Sequence, residues 1–201
     1  MPVKADREYR SLVTFGIEER ENTNTYTVVG YASTFDSYTL MTMDGVDYKE
    51  RIDRHAFDAA DMSDVILQYD HTGKVLARTS NKTLKLEIDE HGLKVTADLS
   101  TTAASRELYD EIKSGLITKM SFAFKVNTDH YESDSHTRVV DTIKKVYDVS
   151  AVSIPANPGT EIASRDYFNG VIEAEKAERL ERERKECAKK TLKLKLRLME
   201  V

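Results

Sequence analysis

Two short segments near the middle of the chain alternate apolar and polar residues at every second position. They cover residues 83–88 and 93–99, and the sequence Asp-Glu-His-Gly at 89–92 separates them. Alternation with a period of two is typical of β-strands that bury one face. A short polar link that contains glycine is typical of a hairpin turn. The two segments therefore predict a β-hairpin and favour a chain built mainly of strands.

Three further segments predict strands elsewhere in the first two-thirds of the chain. Residues 26–32 are rich in β-branched and aromatic side chains, which favour strands. Residues 65–69 form a short apolar run that fits a buried strand, and the pattern from 139 to 152 returns to strand. The polar stretch at 127–137 predicts a loop between strands.

Two helices are expected among these strands. A short one is predicted around residues 56–62. A longer one, over about 103–113, follows Ser100 and Thr101, either of which can cap its first turn. Gly115 lies where a helix commonly ends.

The end of the chain differs in composition from the rest. Residues 173–201 contain no glycine or proline and are dominated by good helix formers. The last 31 residues, 171–201, carry ten Lys or Arg and seven Glu, a net charge of +3, whereas the whole chain carries −5. We therefore predict a domain over 1–165 and a charged helical tail over 166–201. This tail is either a solvated helix or a segment with its own partner.

Several classes of protein are disfavoured by the sequence. The net negative charge argues against nucleic acid as the main partner. The lone cysteine, Cys187, excludes an internal disulfide and fits a reducing compartment. No apolar leader and no run of 18 apolar residues is present, so we expect a soluble intracellular protein without membrane contact. Neither a zinc-protease motif nor a nucleotide-binding loop occurs, and we expect no metal and no cofactor.

Three side chains could support nucleophilic catalysis. Ser121 lies in an apolar, strand-like run, His71 ends the apolar segment at 65–69, and Asp148 lies within another apolar strand. Serine hydrolysis needs a hydroxyl, a base within hydrogen-bond reach, and a group that orients the base. Each residue taken singly has a more ordinary explanation, as a small core residue, a satisfied histidine or a paired acid.

Six motifs that occur in a fixed order favour the catalytic interpretation of these three residues over the ordinary ones. Together they span about residues 10–165, and they resemble the caudovirus prohead maturation proteases, serine peptidases distantly related to herpesvirus assemblin. The motifs lie at residues 30–36, 50–57, 67–71, 90–99, 112–124 and 147–158.

The resemblance assigns roles to individual residues. It implies that His71 is the general base and that Ser121 is the nucleophile. Assemblin-like proteases use a second histidine as the third member, whereas the matching strand here offers Asp148, which can orient an imidazole equally well. By analogy alone, backbone N–H groups at Ala156 and Asn157 are candidates for the oxyanion hole.

The resemblance also implies a fold and a function. The expected fold is an assemblin-like, mostly antiparallel β-barrel with flanking helices, of the α+β class. The expected function is that of a prohead maturation serine endopeptidase that cleaves capsid and scaffold protein, and itself, inside the immature phage head in the bacterial cytoplasm. Its partners would be the major capsid protein, the scaffold protein and further copies of the chain, and the tail would serve in docking.

Two other readings remain open from the sequence. One is a non-catalytic capsid-assembly or scaffolding component that keeps the barrel but has no activity. The other is an unrelated β-rich binding module, in which Ser121 is a core residue and His71 is structural. A separation of more than about 4 Å between these two side chains would favour the binding module.

Overall fold

The computed structural model of the protein describes residues 7–14, 26–153 and 158–199. Within these ranges the chain forms ten strands and two helices. The strands are β1 (Glu8–Thr14), β2 (Thr27–Thr34), β3 (Tyr38–Met43), β4 (Val46–Ile52), β5 (Ile66–Tyr69), β6 (Thr72–Arg78), β7 (Leu84–Ile88), β8 (Gly92–Asp98), β9 (Lys119–Glu132) and β10 (Thr137–Val152). The helices are α1 (Ala103–Lys113) and α2 (Pro158–Met199).

The larger sheet is organised around β10, a strand of 16 residues. One edge of β10 pairs antiparallel with β9, and β1 pairs with β9 on the far side. The other edge of β10 pairs in parallel with β4 at residues 137–140 and with β5 at residues 148–151. A single strand therefore fixes the relative positions of β9 and of the β5–β6 hairpin.

The smaller sheet has the order β2-β8-β7 and contains the hairpin predicted from residues 83–99. A side chain at Gly92 would collide with the carbonyl oxygen of Ser33 on the paired strand β2, so only glycine fits there. The predicted α+β class, rich in strands, is confirmed. In the described part of the chain the two sheets are not closed into a barrel, and the assemblin-like barrel stays a prediction.

The hydrophobic core lies against one face of β9. Met120, Phe122 and Phe124 alternate along this strand and are almost completely buried, and the last two rings stack at 4.4 Å. The helix α1 adds Leu108 and Ile112, which lie four residues apart and so share one face. Burial of this alternating set fixes which face of β9 points inward.

A buried ionic cluster joins β1 to β4 and β10. It consists of Glu8, Arg10, Glu50 and Arg138, none of them more than 5% exposed. The Arg10 Nη2 and Glu50 Oε2 atoms are 2.7 Å apart, and the Arg138 Nη1 and Glu8 Oε2 atoms are 2.6 Å apart. The Nε atom of Arg138 also lies 2.8 Å from Asp129 Oδ2, so two cations contact three carboxylates. These mutual contacts offset much of the cost of burying charge.

The pKa of Glu8 reflects this cluster. Burial by itself would raise the pKa, because it disfavours the charged form. Hydrogen bonds and charges from Arg138 and Arg10 outweigh this effect and lower the pKa of Glu8 to about 2.

The predicted helix at 56–62 is wrong. Residues 54–59 form successive turns, and the backbone of this segment bonds sideways to β10. The N–H of Ile143 donates to the carbonyl of Ala56, and the N–H of Asp61 donates to the carbonyl of Lys144. These carbonyl and amide groups are used between segments, which prevents a regular helical ladder.

The predicted loop at 127–137 is also wrong. The strands β9 and β10 continue through most of it as a polar ribbon, closed by turns at 133–136. Cross-strand polar pairs hold the ribbon, including His130 with Asp141 at 2.8 Å and Thr128 with Thr142 at 2.6 Å. Because pairing stabilises both strands, polar composition alone was a poor guide here.

The helical prediction for the tail is confirmed over the described residues of α2. Exposed ion pairs with a spacing of four residues support it, such as Lys185 with Glu181 at 2.7 Å. The chain divides into two compact units, one within Ala5–Ala163 and one that contains the chain from Ser164 onward. The predicted boundary at residues 165/166 and the docking role of the tail stay predictions. Neither α1 nor the described part of α2 is both long and apolar enough to cross a membrane.

The predicted helix near 103–113 is confirmed as α1. Its cap is Thr102 and not Ser100 or Thr101, because the Thr102 hydroxyl accepts from the N–H of Ser105 at 3.0 Å. Gly115 follows the helix with a φ of +76°, as expected at a helix end.

Candidate active site

The three side chains selected from the sequence lie in contact. The Nε2 atom of His71 is 2.7 Å from the Oγ atom of Ser121, and its Nδ1 atom is 2.5 Å from the Oδ1 atom of Asp148. The side chains of His71 and Asp148 are 8% and 3% exposed, and Ser121 is 3% exposed. The imidazole thus bridges a hydroxyl and a carboxylate in a nearly closed site.

Ser121 is positioned by the alternation of β9. Met120 and Phe122 point into the core on either side of it, which leaves Ser121 on the opposite face. Met120 and Phe122 therefore anchor the strand in the core, and this fixes the Ser121 hydroxyl on the other face of the strand.

Asp148 reaches the same face through a β-bulge. Val146 pairs with Phe124, but Asp148 pairs with Ala123, so Tyr147 is an extra residue with no partner in the β9–β10 register. Without the extra residue, Asp148 would share the core face with Val146, since side chains alternate at period two. The bulge turns the carboxylate away from the core and toward Ser121.

His71 lies in a strained two-residue turn. Asp70 and His71 connect β5 to β6, and their φ values are +46° and +57°. Positive φ at both central positions is what a type I′ hairpin requires, and glycine or asparagine usually supplies it. Most residues other than glycine adopt this conformation at a cost of about 1–2 kcal/mol, whereas asparagine and aspartate adopt it more readily.

The end of β10 holds this turn in place. The N–H of Asp70 donates to the carbonyl of Ala151 at 2.9 Å. The Asp70 carboxylate accepts from the N–H and the hydroxyl of Ser153, at 2.9 Å and 2.7 Å. These bonds offset the local strain and fix the height of His71 above the sheet.

The sequence reasoning missed Ser150, whose hydroxyl oxygen lies 3.2 Å from the His71 backbone nitrogen and 3.1 Å from Asp148 Oδ1. Ser150 is completely buried. Because it follows Asp148 by two positions on a strand, alternation places both on one face, and this signal could have found it.

Two residues near the start of the chain also reach the site, and the sequence reasoning missed them too. The ring of Tyr9 packs edge-on against that of His71, with centroids 4.7 Å apart. The Nη1 atom of Arg7 is 4.0 Å from Asp148 Oδ2, and its guanidinium lies over the ring of Tyr147. No local motif predicts these contacts, because they depend on the pairing of β1 with β9.

The suggested oxyanion residues, Ala156 and Asn157, lie outside the described residues. Their assignment therefore stays a prediction.

The geometry defines what the site can do chemically. A carboxylate on Nδ1 favours the tautomer that carries its proton there, because the carboxylate only accepts. Nε2 of His71 is then an acceptor for the hydroxyl proton of Ser121. This is the arrangement by which a weak serine nucleophile is activated for attack on a carbonyl carbon.

Comparison with known proteins agrees with this chemistry. A family model described as caudovirus prohead serine protease matches residues 14–173, most of the chain, including the three contacting side chains. No curated protein and no solved structure shows significant similarity to this chain.

Proposed function

The chain belongs to the caudovirus prohead serine protease family, and we propose that it is an active endopeptidase with Ser121 as nucleophile, His71 as general base and Asp148 as the group that orients His71. The observation that best supports this proposal is the position of the His71 ring, 2.7 Å from Ser121 Oγ and 2.5 Å from Asp148 Oδ1. A merely structural serine in a β-sheet has no need of an imidazole held at hydrogen-bond distance by a buried carboxylate.

In the first half of the proposed reaction, Ser121 Oγ bonds to the carbonyl carbon of the scissile peptide. Its proton moves to Nε2 of His71, and Asp148 stabilises the imidazolium that forms. Collapse of the tetrahedral intermediate breaks the carbon–nitrogen bond, and His71 returns the proton to the leaving amine. The product of this half is an acyl-enzyme on Ser121.

In the second half, His71 takes a proton from water, whose oxygen attacks the acyl carbon. Collapse of this second tetrahedral intermediate breaks the bond between the acyl carbon and Ser121 Oγ, and His71 returns the proton to Ser121. The negative oxygen of each intermediate needs donors aimed at it, and backbone N–H groups at Ala156 and Asn157 remain our candidates. No metal or cofactor enters the proposed scheme.

The proposed substrates follow from the family. Prohead proteases act during capsid maturation, so we assign cleavage of the major capsid protein, of the scaffold protein and of the chain itself, inside the immature head in the host cytoplasm. Self-association and an assemblin-like barrel belong to the same proposal. The charged tail, residues 166–201, is assigned to docking on scaffold or shell.

Co-expression with the cognate major capsid and scaffold proteins tests the proposal. Wild type should produce discrete truncations in intact mass spectra, and Ser121→Ala should produce none. Ser33→Ala, which removes another buried serine hydroxyl from the smaller sheet, should cleave like wild type. Cleavage by Ser121→Ala would overturn the assignment of the nucleophile. Identical full-length masses in wild type and mutant, with both incorporated into particles, would favour the non-catalytic assembly component.

A further inference from the structure

The hydroxyl of Ser150 lies between the backbone N–H of His71 and the carboxylate of Asp148, which bonds to the His71 ring. The His71 N–H donates to Ser150 Oγ over 3.2 Å, and the Ser150 hydroxyl donates to Asp148 Oδ1 over 3.1 Å. The same carboxylate oxygen accepts from Nδ1 of His71. The three bonds close a ring that runs from the His71 backbone through Ser150 and Asp148 back to the His71 ring.

We propose that Ser150 is a positioning residue of this protease, and that its hydroxyl couples the left-handed backbone of His71 to the carboxylate that orients its imidazole. The proposal rests on the catalytic assignment made above. Ser150 does not touch the nucleophile's proton, so it acts only through His71 and Asp148.

The chemistry of the residue fits this role. A serine hydroxyl has one proton to give and two lone pairs to accept with, so it can serve both neighbours at once. Alanine at position 150 would leave the His71 N–H without this acceptor at a turn that already carries positive φ. It would also remove one donor from Asp148 Oδ1, so the orientation of the carboxylate would depend on its remaining contacts with His71 and Arg7.

The sheet gives Ser150 little freedom. It is a direct register partner of Ser121 across β9–β10 and of Gln68 across β10–β5. It is completely buried. A buried hydroxyl with two fixed partners on a central strand is held in one geometry, which is what a group that positions others requires.

The test compares Ser150→Ala with Ser105→Ala, which also removes a completely buried hydroxyl, one that donates to the carbonyl of Leu76 at 2.7 Å. On a peptide substrate, Ser150→Ala should lower kcat by about 10- to 100-fold with KM nearly unchanged. Ser105→Ala should keep the wild-type kcat although its melting temperature falls. Ser150→Thr, which retains the hydroxyl, should recover most of the lost kcat.

A spectroscopic readout separates positioning from general stability. The His71 Nδ1 proton, hydrogen-bonded to a carboxylate, should give a far-downfield proton NMR resonance in wild type. This resonance should move or broaden in Ser150→Ala and stay in place in Ser105→Ala. A wild-type kcat and an unmoved resonance in folded Ser150→Ala would overturn the proposal. So would a loss of kcat in Ser150→Ala with the resonance unmoved.

Failure of this inference is distinguishable from failure of the proposed function. If wild type lacks protease activity or Ser121→Ala retains it, the proposed function fails. The NMR comparison needs no turnover and still decides whether Ser150 fixes the His71–Asp148 pair.

Discussion

Ser121 and Ser150 face each other as direct partners across the antiparallel pair β9–β10. Asp148 lies two residues before Ser150 and, through the bulge at Tyr147, on the same face. Two strands therefore present the hydroxyl and the carboxylate in one ladder, and only His71 is brought in from a separate hairpin. The site has a rigid part and a part that depends on the conformation of one turn.

Replacing Asp148 by asparagine should leave the fold intact and remove most of the activity. An amide of the same shape can donate toward Nδ1, which favours the wrong tautomer of His71, and kcat should fall by about 10⁴-fold. Steady-state hydrolysis of a peptide, together with the melting temperature, measures both effects.

The matched control is Asp141→Asn, which changes the exposed His130–Asp141 pair, also at hydrogen-bond distance. It should hydrolyse peptide at the wild-type rate. A kcat for Asp148→Asn within about tenfold of wild type would contradict the role assigned to Asp148.

Replacing His71 by asparagine or by alanine separates catalysis from the strain of the turn. Both variants should lose at least about 10⁴-fold in kcat, because each removes the base. Both variants lack the imidazole that bonds to Asp148, so the difference in their unfolding free energies reports mainly how well each residue tolerates the backbone of the turn. Asparagine accepts positive φ more readily than alanine, so His71→Asn should be more stable by about 1 kcal/mol in urea unfolding. Equal stabilities would show that the turn is not under strain at this position.

Replacing Glu50 by glutamine should strongly destabilise the protein. It removes one of the three carboxylates that the two arginines contact, and it leaves Arg10 and Arg138 with less compensation. Breaking such a buried set costs about 3–5 kcal/mol, measured as the change in unfolding free energy in urea.

Glu132→Gln provides the surface comparison, since it changes the half-exposed Arg51–Glu132 pair at 3.3 Å. It should change the unfolding free energy by less than about 1 kcal/mol. Similar losses in both variants would mean that the cluster is no more important than a surface pair.

Acid should weaken the same cluster through Glu8. The pKa of Glu8 is about 2 in the folded protein and 4.5 in its unperturbed state. A depressed folded pKa contributes stability that is fully present above pH 4.5 and is lost as pH falls from 4.5 through 2. The contribution amounts to about 3 kcal/mol at neutral pH.

The contribution of Glu8 to stability can be measured by comparing the unfolding free energies of wild type and Glu8→Gln at different pH values. Other carboxylates also contribute to the response to acid, including Asp61, Asp64 and Asp89, whose pKa values are lowered by hydrogen bonds from Lys145, Arg78 and Tyr31 respectively. They are common to both proteins, so the difference between wild type and Glu8→Gln isolates Glu8. That difference should shrink as pH falls from 4.5 to 2, and a constant difference would argue against the shift.

Removing the tail should impair assembly but not catalysis. Deletion of residues 170–201 should leave hydrolysis of a short peptide near the wild-type rate but reduce incorporation into proheads, because the tail is assigned to docking. Quantitative mass spectrometry of purified particles measures incorporation, with full-length Ser121→Ala as the control that should incorporate normally. Normal incorporation of the truncated chain would rule out this role.

The sequence is a good guide to residues whose role depends on their chemical type. It is a poor guide to features that depend on the register of paired strands. His71, Ser121 and Asp148 could be selected because a base, a hydroxyl and an acid stand in apolar strands within family-like motifs, and the structure brings these side chains into contact. Their catalytic roles stay predictions. The bulge that directs Asp148 toward Ser121 has no signal in the sequence, because a run of strand-forming residues does not show where an extra residue will fall.

The same limit explains the other misses. Arg7 and Tyr9 reach the site only through strand pairing, and no local motif marks that pairing. Ser150 has a local signal, its spacing of two residues after Asp148, but that signal does not show which face of the strand carries the site. The polar composition after Asn127 predicts a loop, whereas the residues that stabilise the ribbon lie across the turn at 133–136. Composition reports local preference, and both features depend on contacts between segments.

The left-handed backbone at position 71 also bears on how such a chain can evolve. The turn demands a residue that tolerates positive φ, whether or not the protease is under selection. A histidine codon becomes an asparagine or an aspartate codon by a single base change, and both residues suit that backbone. A change of His71 to asparagine therefore keeps a residue that suits the turn, and its structural cost lies in the lost bond to the Asp148 carboxylate. Relatives that keep the fold without cleavage should therefore carry asparagine or glycine at this position, since aspartate would place a second carboxylate beside buried Asp148. The residue at this position can be read directly from genome sequences.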